Sequence, residues 1–251
     1  MDFIKLQGVV LKSINIGESD KIITMLTDKF GKIDVVVYGA RKSNSKFMAS
    51  TQQFCYCEFV ISKGKSLYNL KQCNIIESFQ SILLNLDKLA YGSYFLELID
   101  KLTEKDSVNL SLMGLLLKTL YIITHDEVDL ELLKLVFDFK AISLFGNMPY
   151  LNGCIKCRKK IEFGYFSVSD GGIYCPKCKE NKFAYPINKE TLNLLLKIKN
   201  IKLENLRDIN IDKKTMNYLQ EIMSNYIKYY INRDLKSLNL LSQIKNYKEM
   251  I

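Results

Sequence analysis

Apolar and polar residues alternate along the first 80 positions with the two-residue period of half-buried strands. The runs LQGVVLKSINI, KIITMLTD, KIDVVVYG, FCYCEFVIS and SLYNLKQCNII are separated by turn signals at Gly17, at 28–31, at 43–45 and at 63–64. Five short strands suit a small barrel. The long excursion GARKSNSKFMASTQQ between the third and fourth runs matches an OB-type barrel better than a sandwich. Strands of an SH3-like barrel have similar lengths, so periodicity alone leaves that alternative open.

After Glu77 the spacing turns helical, through SFQSILLNLDKLAYGSYFLELIDKL, NLSLMGLLLKTLYII and DLELLKLVFDFKAISLFG. Ser78 is placed to cap the first helix, Ser107 or Asn109 the second and Asp129 the third, which Gly146 and Pro149 then end. Two stripes, Leu83, Leu84, Leu86, Leu89 and Phe95 on one side and Leu132, Leu133, Val136 and Phe139 on the other, are expected to be core. Helical pattern resumes at NKETLNLLLKIKN and DKKTMNYLQEIMSNYIKYYINRDLKS, with Asn188 and Asp212 as caps, and the tail LNLLSQIKNYKEMI continues the last helix or frays. The expectation is an α+β chain. A five-stranded barrel domain at 1–79 precedes a helical bundle at 80–251 that carries an insertion at about 150–186.

That insertion is too short and loop-rich to build a core of its own, and needs a staple. The sequence offers one in CIKC at 154–157 and CPKC at 175–178, two thiol pairs with 17 residues between them. Two intervening residues let one tight turn aim both sulfurs at a single tetrahedral centre, and Gly164, Gly171 and Gly172 allow the segment between the pairs to fold back as a hairpin. Cys154, Cys157, Cys175 and Cys178 are therefore expected to hold one zinc ion, structural because four cysteines leave no open position. A redox-active CxxC would need a flanking strand and helix, and an iron–sulfur cluster usually shows a closely spaced trio. Cys55, Cys57 and Cys73, which alternate with apolar residues, are expected to be ordinary half-buried thiols. The N-terminus has no apolar run of signal-peptide length, and no later segment is long and uncharged enough to cross a membrane. A soluble, cytoplasmic protein is expected.

Net charge is +9, distributed as +4 over 1–80, −4 over 81–149 and +9 over 150–251. A basic balance suits a polyanionic partner, and equally suits a Lys-rich solvated surface. Lys29, Lys32, Arg41, Lys42 and Lys46 surround the third strand and its following loop, with Phe30, Tyr38 and Phe47 nearby. Cations neutralise phosphates and aromatic faces stack on unpaired bases, so this region is a candidate single-strand DNA surface; the alternative is a solvated loop over core aromatics. Enzyme parts are missing from the pattern. The one histidine, His125, falls at a helix end, and no nucleophile elbow, phosphate-binding loop, dinucleotide fingerprint or deaminase signature occurs. The acidic run Asp126, Glu127, Asp129 and Glu131 lies at a helix start, where negative charge complements the helix dipole.

GVVLKSINIGESDKIITMLTDKFGKIDVVVYGARKSNSK reads as strand, acidic turn, strand, D-x-F-G-K, strand and G-A-R-basic sequence. FDFKAISLFGNMPYLNGCIKC reads as a helix running into the first CxxC, and YIKYYINRDLKS as a terminal helix. These three ordered blocks resemble the RecO family of bacterial recombination mediators. The likeness covers nearly the full length. It implies an OB-fold, a helical bundle and a zinc-binding insertion. The implied activity is non-enzymatic: binding and annealing single- and double-stranded DNA, engaging RecR and the C-terminal tail of single-strand-binding protein, and helping RecA replace that protein on single strands. The implied setting is the bacterial cytoplasm, at the nucleoid during repair. This sequence departs from the family pattern at Tyr38, where lysine is common, at Tyr230 and Asn232, where His and Gly are common, and at Arg158, where Gly is usual. A zinc-stabilised interaction scaffold without a specific DNA role is the competing expectation.

Overall fold

Five strands form where the alternation predicts them: β1 (Phe3–Ile16), β2 (Asp20–Thr27), β3 (Gly31–Val37), β4 (Tyr56–Lys63) and β5 (Tyr68–Glu77). The computed structural model describes residues 3–180 and 183–249. By packing, the chain divides into two units, Met1–Asp126 with Leu235–Ile251, and Glu127–Asp234.

In the first unit the strands close in the order β1-β2-β3-β5-β4. All neighbours are antiparallel except β3 and β5, which meet in parallel through Val35–Tyr68 and Val36–Asn69. This is the OB-type barrel. Leu6, Val10, Ile23, Met25, Val35 and Phe59 fill it, because the two-residue period sends each of them to the same face. The excursion at 38–55 folds back on the barrel, burying Ala40 and Cys55 and packing Phe47 against that core. Cys57 is buried and Cys73 half-buried, as expected of structural thiols; burial pushes the Cys55 thiol up to about 11, which keeps it unreactive.

Gly31, which opens β3, has a φ of 62°, and a Cβ there would stand 2.0 Å from the carbonyl oxygen of Ser107. Gly31→Ala combines a left-handed backbone with an overlap that neither chain segment can relieve locally. We expect it to lower unfolding free energy by about 3 kcal/mol in urea titration, while a substitution at the open Gly17 turn costs less.

The first helix does not begin at Ser78. A 3-10 turn spans Gln80–Leu84, and Asn85 then caps α1 (Leu86–Leu102) by accepting from the backbone N–H groups of Asp87 and Lys88. The expected stripe is corrected accordingly: Leu83, Leu84 and Leu86 are exposed, whereas Phe95 is buried. Leu83 and Leu84 belong to the 3-10 turn, outside the helical phase that starts at Asn85, and Leu86 stands nine residues before Phe95 in α1, which at about 100° per residue is the opposite face of the helix. α2 (Leu110–His125) is capped by Asn109 and packs on α1. Asn232, in the left-handed conformation, ends α5 (Lys213–Ile231) of the second unit, and the tail forms a separate helix, α6 (Lys236–Glu249). α6 returns to α1, where the Glu97 carboxylate accepts from the N–H groups of Lys236 and Ser237 and from the Ser237 hydroxyl, a carboxylate cap on a helix N-terminus.

The second unit holds α3 (Leu130–Leu144), a small sheet, α4 (Lys189–Asn200), a 3-10 turn at Leu203–Asp208 and α5 (Lys213–Ile231). Asp129, Asn188 and Asp212 cap their helices through the expected side-chain bonds. Leu132, Leu133, Val136 and Phe139 of α3 are buried as predicted, with α4 and α5 packed on this helix. The sheet comprises β6 (Tyr150–Cys154), β7 (Gly164–Ser167), β8 (Gly172–Tyr174) and β9 (Tyr185–Ile187), in the order β6-β8-β7-β9. No helix among the described residues is long and apolar enough to cross a membrane.

Candidate metal centre and nucleic-acid interface

Two parallel strands bring the cysteine pairs together. β6 runs alongside β8, with Cys154 opposite Ile173, so the chain leaves both strands at the same edge and each CxxC turn follows directly. In the first turn the N–H of Arg158 donates to the carbonyl of Cys154; in the second, the N–H groups of Cys178 and Lys179 donate to that of Cys175. Arg158 sits in the left-handed region at a φ of 62°, which explains why glycine would be the easier residue there. Its guanidinium lies 4.8 Å from the centre of the Tyr150 ring, an attraction that offsets part of the strain.

The four sulfurs all lie within 4.8 Å of one another, and those of Cys157 and Cys175 are 3.9 Å apart. A tetrahedral zinc with bonds of about 2.3 Å places its sulfurs about 3.8 Å apart, so the donor set fits such an ion. Among the described residues this is the one cluster of its kind. Burial works against the Cys154 thiolate, yet N–H groups of Cys157, Cys175 and Lys156 directed at its sulfur outweigh that and lower its pKa. Cys178 is pushed the opposite way, first by its hydrogen bond with Cys175 and then by burial. Four thiolates this close repel one another, and only a cation among them allows all four to ionise. The surrounding basic residues are partly engaged: Lys156 pairs with Glu180, and the Lys179 ammonium lies 4.1 Å from the Tyr165 ring centre.

The five candidate DNA contacts separate into three groups. Arg41 and Lys42 follow β3 at the end of the barrel that carries the β1–β2 turn. The Arg41 N–H donates to Ser19 O, its guanidinium to Gly17 O at 2.7 Å, and the Gly39 N–H to Asp20, which holds that carboxyl below its usual range. Lys46 is exposed in the same 38–55 segment, its ammonium 5.1 Å from the Phe47 ring centre. Lys29 is exposed in the β2–β3 turn, at the other end of the hairpin, and donates to Lys5 O. Seven strand residues at about 3.3 Å each put it about 20 Å from Arg41.

Lys32 stands apart from the others. It is 9% exposed, and its ammonium donates to the Asp100 carbonyl at 2.5 Å and to the Asp100 carboxylate at 3.2 Å. Lys12 reaches the same carboxylate from β1 at 2.5 Å. α1 thus covers this face of the barrel and uses Lys32 as a structural cation, out of a phosphate's reach. We expect Lys32→Ala to cost about 3 kcal/mol of stability, because it removes one member of a buried charge cluster, and to leave DNA affinity unchanged in a titration of the folded variant. Burial raises the Asp100 pKa, but the bonds from Lys12 and Lys32 outweigh it and the net shift is downward. With its folded value depressed, the cluster stabilises fully above the unfolded carboxylate value of about 3.9 and loses that contribution as pH falls through the folded one.

The aromatic candidates also divide. Phe30 packs on the barrel core with its ring 5.8 Å from that of Tyr68, and Phe47 packs on the same core, which leaves Tyr38, 63% exposed, as an open ring face. His125 is exposed, shares a hydrogen bond with Tyr121 O and stacks on the Tyr121 ring. Asp129 is spent on its cap, and Glu131 pairs with Lys213 at 2.9 Å. Sequence reasoning passed over Asn15 and Lys21, directly paired across β1 and β2 beside Arg41. Their signal was register: Lys21 lies two residues before the inward-facing Ile23.

The chain matches the family models described as recombination protein O N terminal, over residues 1–79, and recombination protein O C terminal, over residues 83–239. It is 37% identical over 248 residues to the DNA repair protein RecO of Clostridium acetobutylicum, covering 98% of this chain and 99% of the relative. Against the protein of that name from Caldicellulosiruptor saccharolyticus it is 35% identical over 246 residues, 98% of this chain and 100% of the relative. A Bacillus pumilus relative of the same name is 32% identical over 249 residues, 99% and 97% of the two chains.

Proposed function

Since the chain belongs to the RecO family of DNA repair proteins, we propose that it acts as a non-enzymatic mediator of recombination that binds DNA strands at the barrel and anneals them. The observation that carries this reading is the exposed group Arg41, Lys42 and Lys46 beside the open Tyr38 ring at one end of an OB-type barrel. Cations there would neutralise phosphates and release their counterions, and lowering the mutual repulsion of two strands lets them pair without nucleotide hydrolysis. Lys29 would add a contact for a strand that follows the hairpin along its length. Residues 1–79 serve in this reading as the DNA-binding domain and 80–251 as a helical domain with its insertion at about 150–186. Titration of labelled single- and double-stranded DNA at several salt concentrations tests it. Affinity that falls as salt rises is expected; no binding, or binding indifferent to salt, would count against phosphate contact.

The proposal extends to a metal and to partners. One structural zinc would be held by Cys154, Cys157, Cys175 and Cys178, supplying cross-linking and no reaction chemistry. RecR would be a protein partner, RecA would be loaded indirectly, and the acidic, apolar tail of single-strand-binding protein would dock on the second unit. A recess of about 690 Å³ between β7, β9 and the first turns of α4 and α5 supports the last point: Phe163, Pro186 and Tyr218 line it beside Lys214. An acidic tail peptide is expected to bind the full chain, and Lys214→Glu to weaken it. The setting in this reading is the bacterial cytoplasm, at nucleoid DNA during repair.

A further inference from the structure

We propose that the recess where β1, β2 and the 38–55 segment meet is a subsite for one unstacked nucleobase of a single strand. The proposal rests on the DNA-binding reading above and names what that surface would hold between the phosphates. The recess has a volume of about 210 Å³ and is lined by Ser13, Asn15, Lys21, Gln52, Gln53 and Leu83.

Each wall is set by backbone already described. Asn15 and Lys21 are register partners one pair inside the β1–β2 turn, and Ser13 lies two residues further along the same face of β1. Gln53 is fixed by donating its amide N–H to Leu11 O at 3.0 Å, an arrangement that leaves its amide oxygen able to accept. Ser13 Oγ is out of solvent and has no hydrogen-bond partner among the described residues. It sits behind the wall of the recess, so the polar groups open to a ligand are those of Asn15, Lys21, Gln52 and Gln53. Leu83, 46% exposed, supplies an apolar wall from the 3-10 turn, which gives a use to a side chain that the core does not take.

A flat ring with a polar edge matches this lining. Amides and an ammonium are the groups that pair with base edges, and an aliphatic wall takes a ring face. A bare phosphate would match Lys21 alone. The neighbours select the same ligand: Arg41 is tied to Gly17 and Ser19 of the adjoining turn, and Lys21 is also the register partner of Val37, which precedes the exposed Tyr38. Cations outside, a polar slot between them and a ring beside it suit a chain that alternates charge with planar bases.

The test compares a base-bearing single strand with an all-abasic strand of equal length and equal phosphate number, on the full protein. Wild type is expected to prefer the base-bearing strand. Asn15→Ala with Gln52→Ala should reduce that affinity by about tenfold and leave the abasic affinity unchanged, which also certifies the fold, since both side chains are exposed. Equal wild-type affinity for the two strands would overturn the subsite and leave phosphate binding standing. A double variant that weakens both strands alike would do the same. Failure of wild type to bind either strand would remove the DNA-binding reading and the subsite with it.

Discussion

The variant Cys175→Ser is expected to lose its metal and, with it, the order of β6–β9. Structural zinc in small thiolate sites contributes on the order of 10 kcal/mol or more of apparent binding free energy at neutral pH, and in such sites that is folding free energy. Whole domains are stable by about 5–15 kcal/mol, so a zinc held by these four cysteines would, at even half that contribution, be comparable to everything else holding the second unit. Few other interactions could replace it. The sheet offers three- to five-residue strands, and the pairing of β6 with β8 is what carries both CxxC turns to one edge. Metal analysis of wild type should give about one zinc per chain, and of the variant much less. Limited proteolysis should then cut the variant between the two cysteine pairs. Wild type without zinc, or with an unchanged melting temperature after a strong chelator, would overturn the structural role.

How much of this was legible in the chain depended on how local the cause was. The five barrel strands follow a two-residue period written in consecutive residues, and they appear at their expected places. Asn109, Asp129, Asn188 and Asp212 were readable as caps because each bonds to an N–H two or three residues away. The failure at 78–86 has the same origin: Ser78 and Asn85 are both competent caps, and spacing cannot tell which one the chain uses. Phe79, in the left-handed conformation, and the 3-10 turn decide in favour of Asn85. The four-cysteine cluster was legible from spacing, since two turns and one hairpin suffice to build it.

Lys32 was not readable as structural from β3, because its partner Asp100 is 68 residues away on α1. The signal lay on the helix instead. Asp100 interrupts a buried face made by Leu96, Ile99 and Leu102, and a carboxylate in that position calls for a cation. The same reasoning separates Lys29 from Arg41. They stand close in the sequence as basic residues flanking one strand, yet a strand places its two ends far apart, so a list of nearby lysines overstated the size of a single patch.

Replacing Arg41, Lys42 and Lys46 together by alanine is expected to change the salt dependence of single-strand binding as well as its strength. Each phosphate contact on a single strand contributes about 0.7 to the slope of log affinity against log salt, so three contacts account for a slope of about 2. The affinity gap between wild type and variant should therefore shrink by about 100-fold for each tenfold rise in salt. A loss caused by misfolding would not follow that law. Arg41 also holds Gly17 O, so loosening of the β1–β2 turn has to be separated from lost charge, and Lys42→Ala with Lys46→Ala, which leaves that bond intact, should retain two-thirds of the slope change. Lys29→Ala adds a length test. A strand long enough to span the hairpin should feel its removal, and one confined to the Arg41 end should not. Equal affinity and equal slope for wild type and the triple variant would favour a zinc-stabilised scaffold whose charge merely solvates the barrel. A gap that closes with salt at the stated rate would mark these three side chains as phosphate contacts.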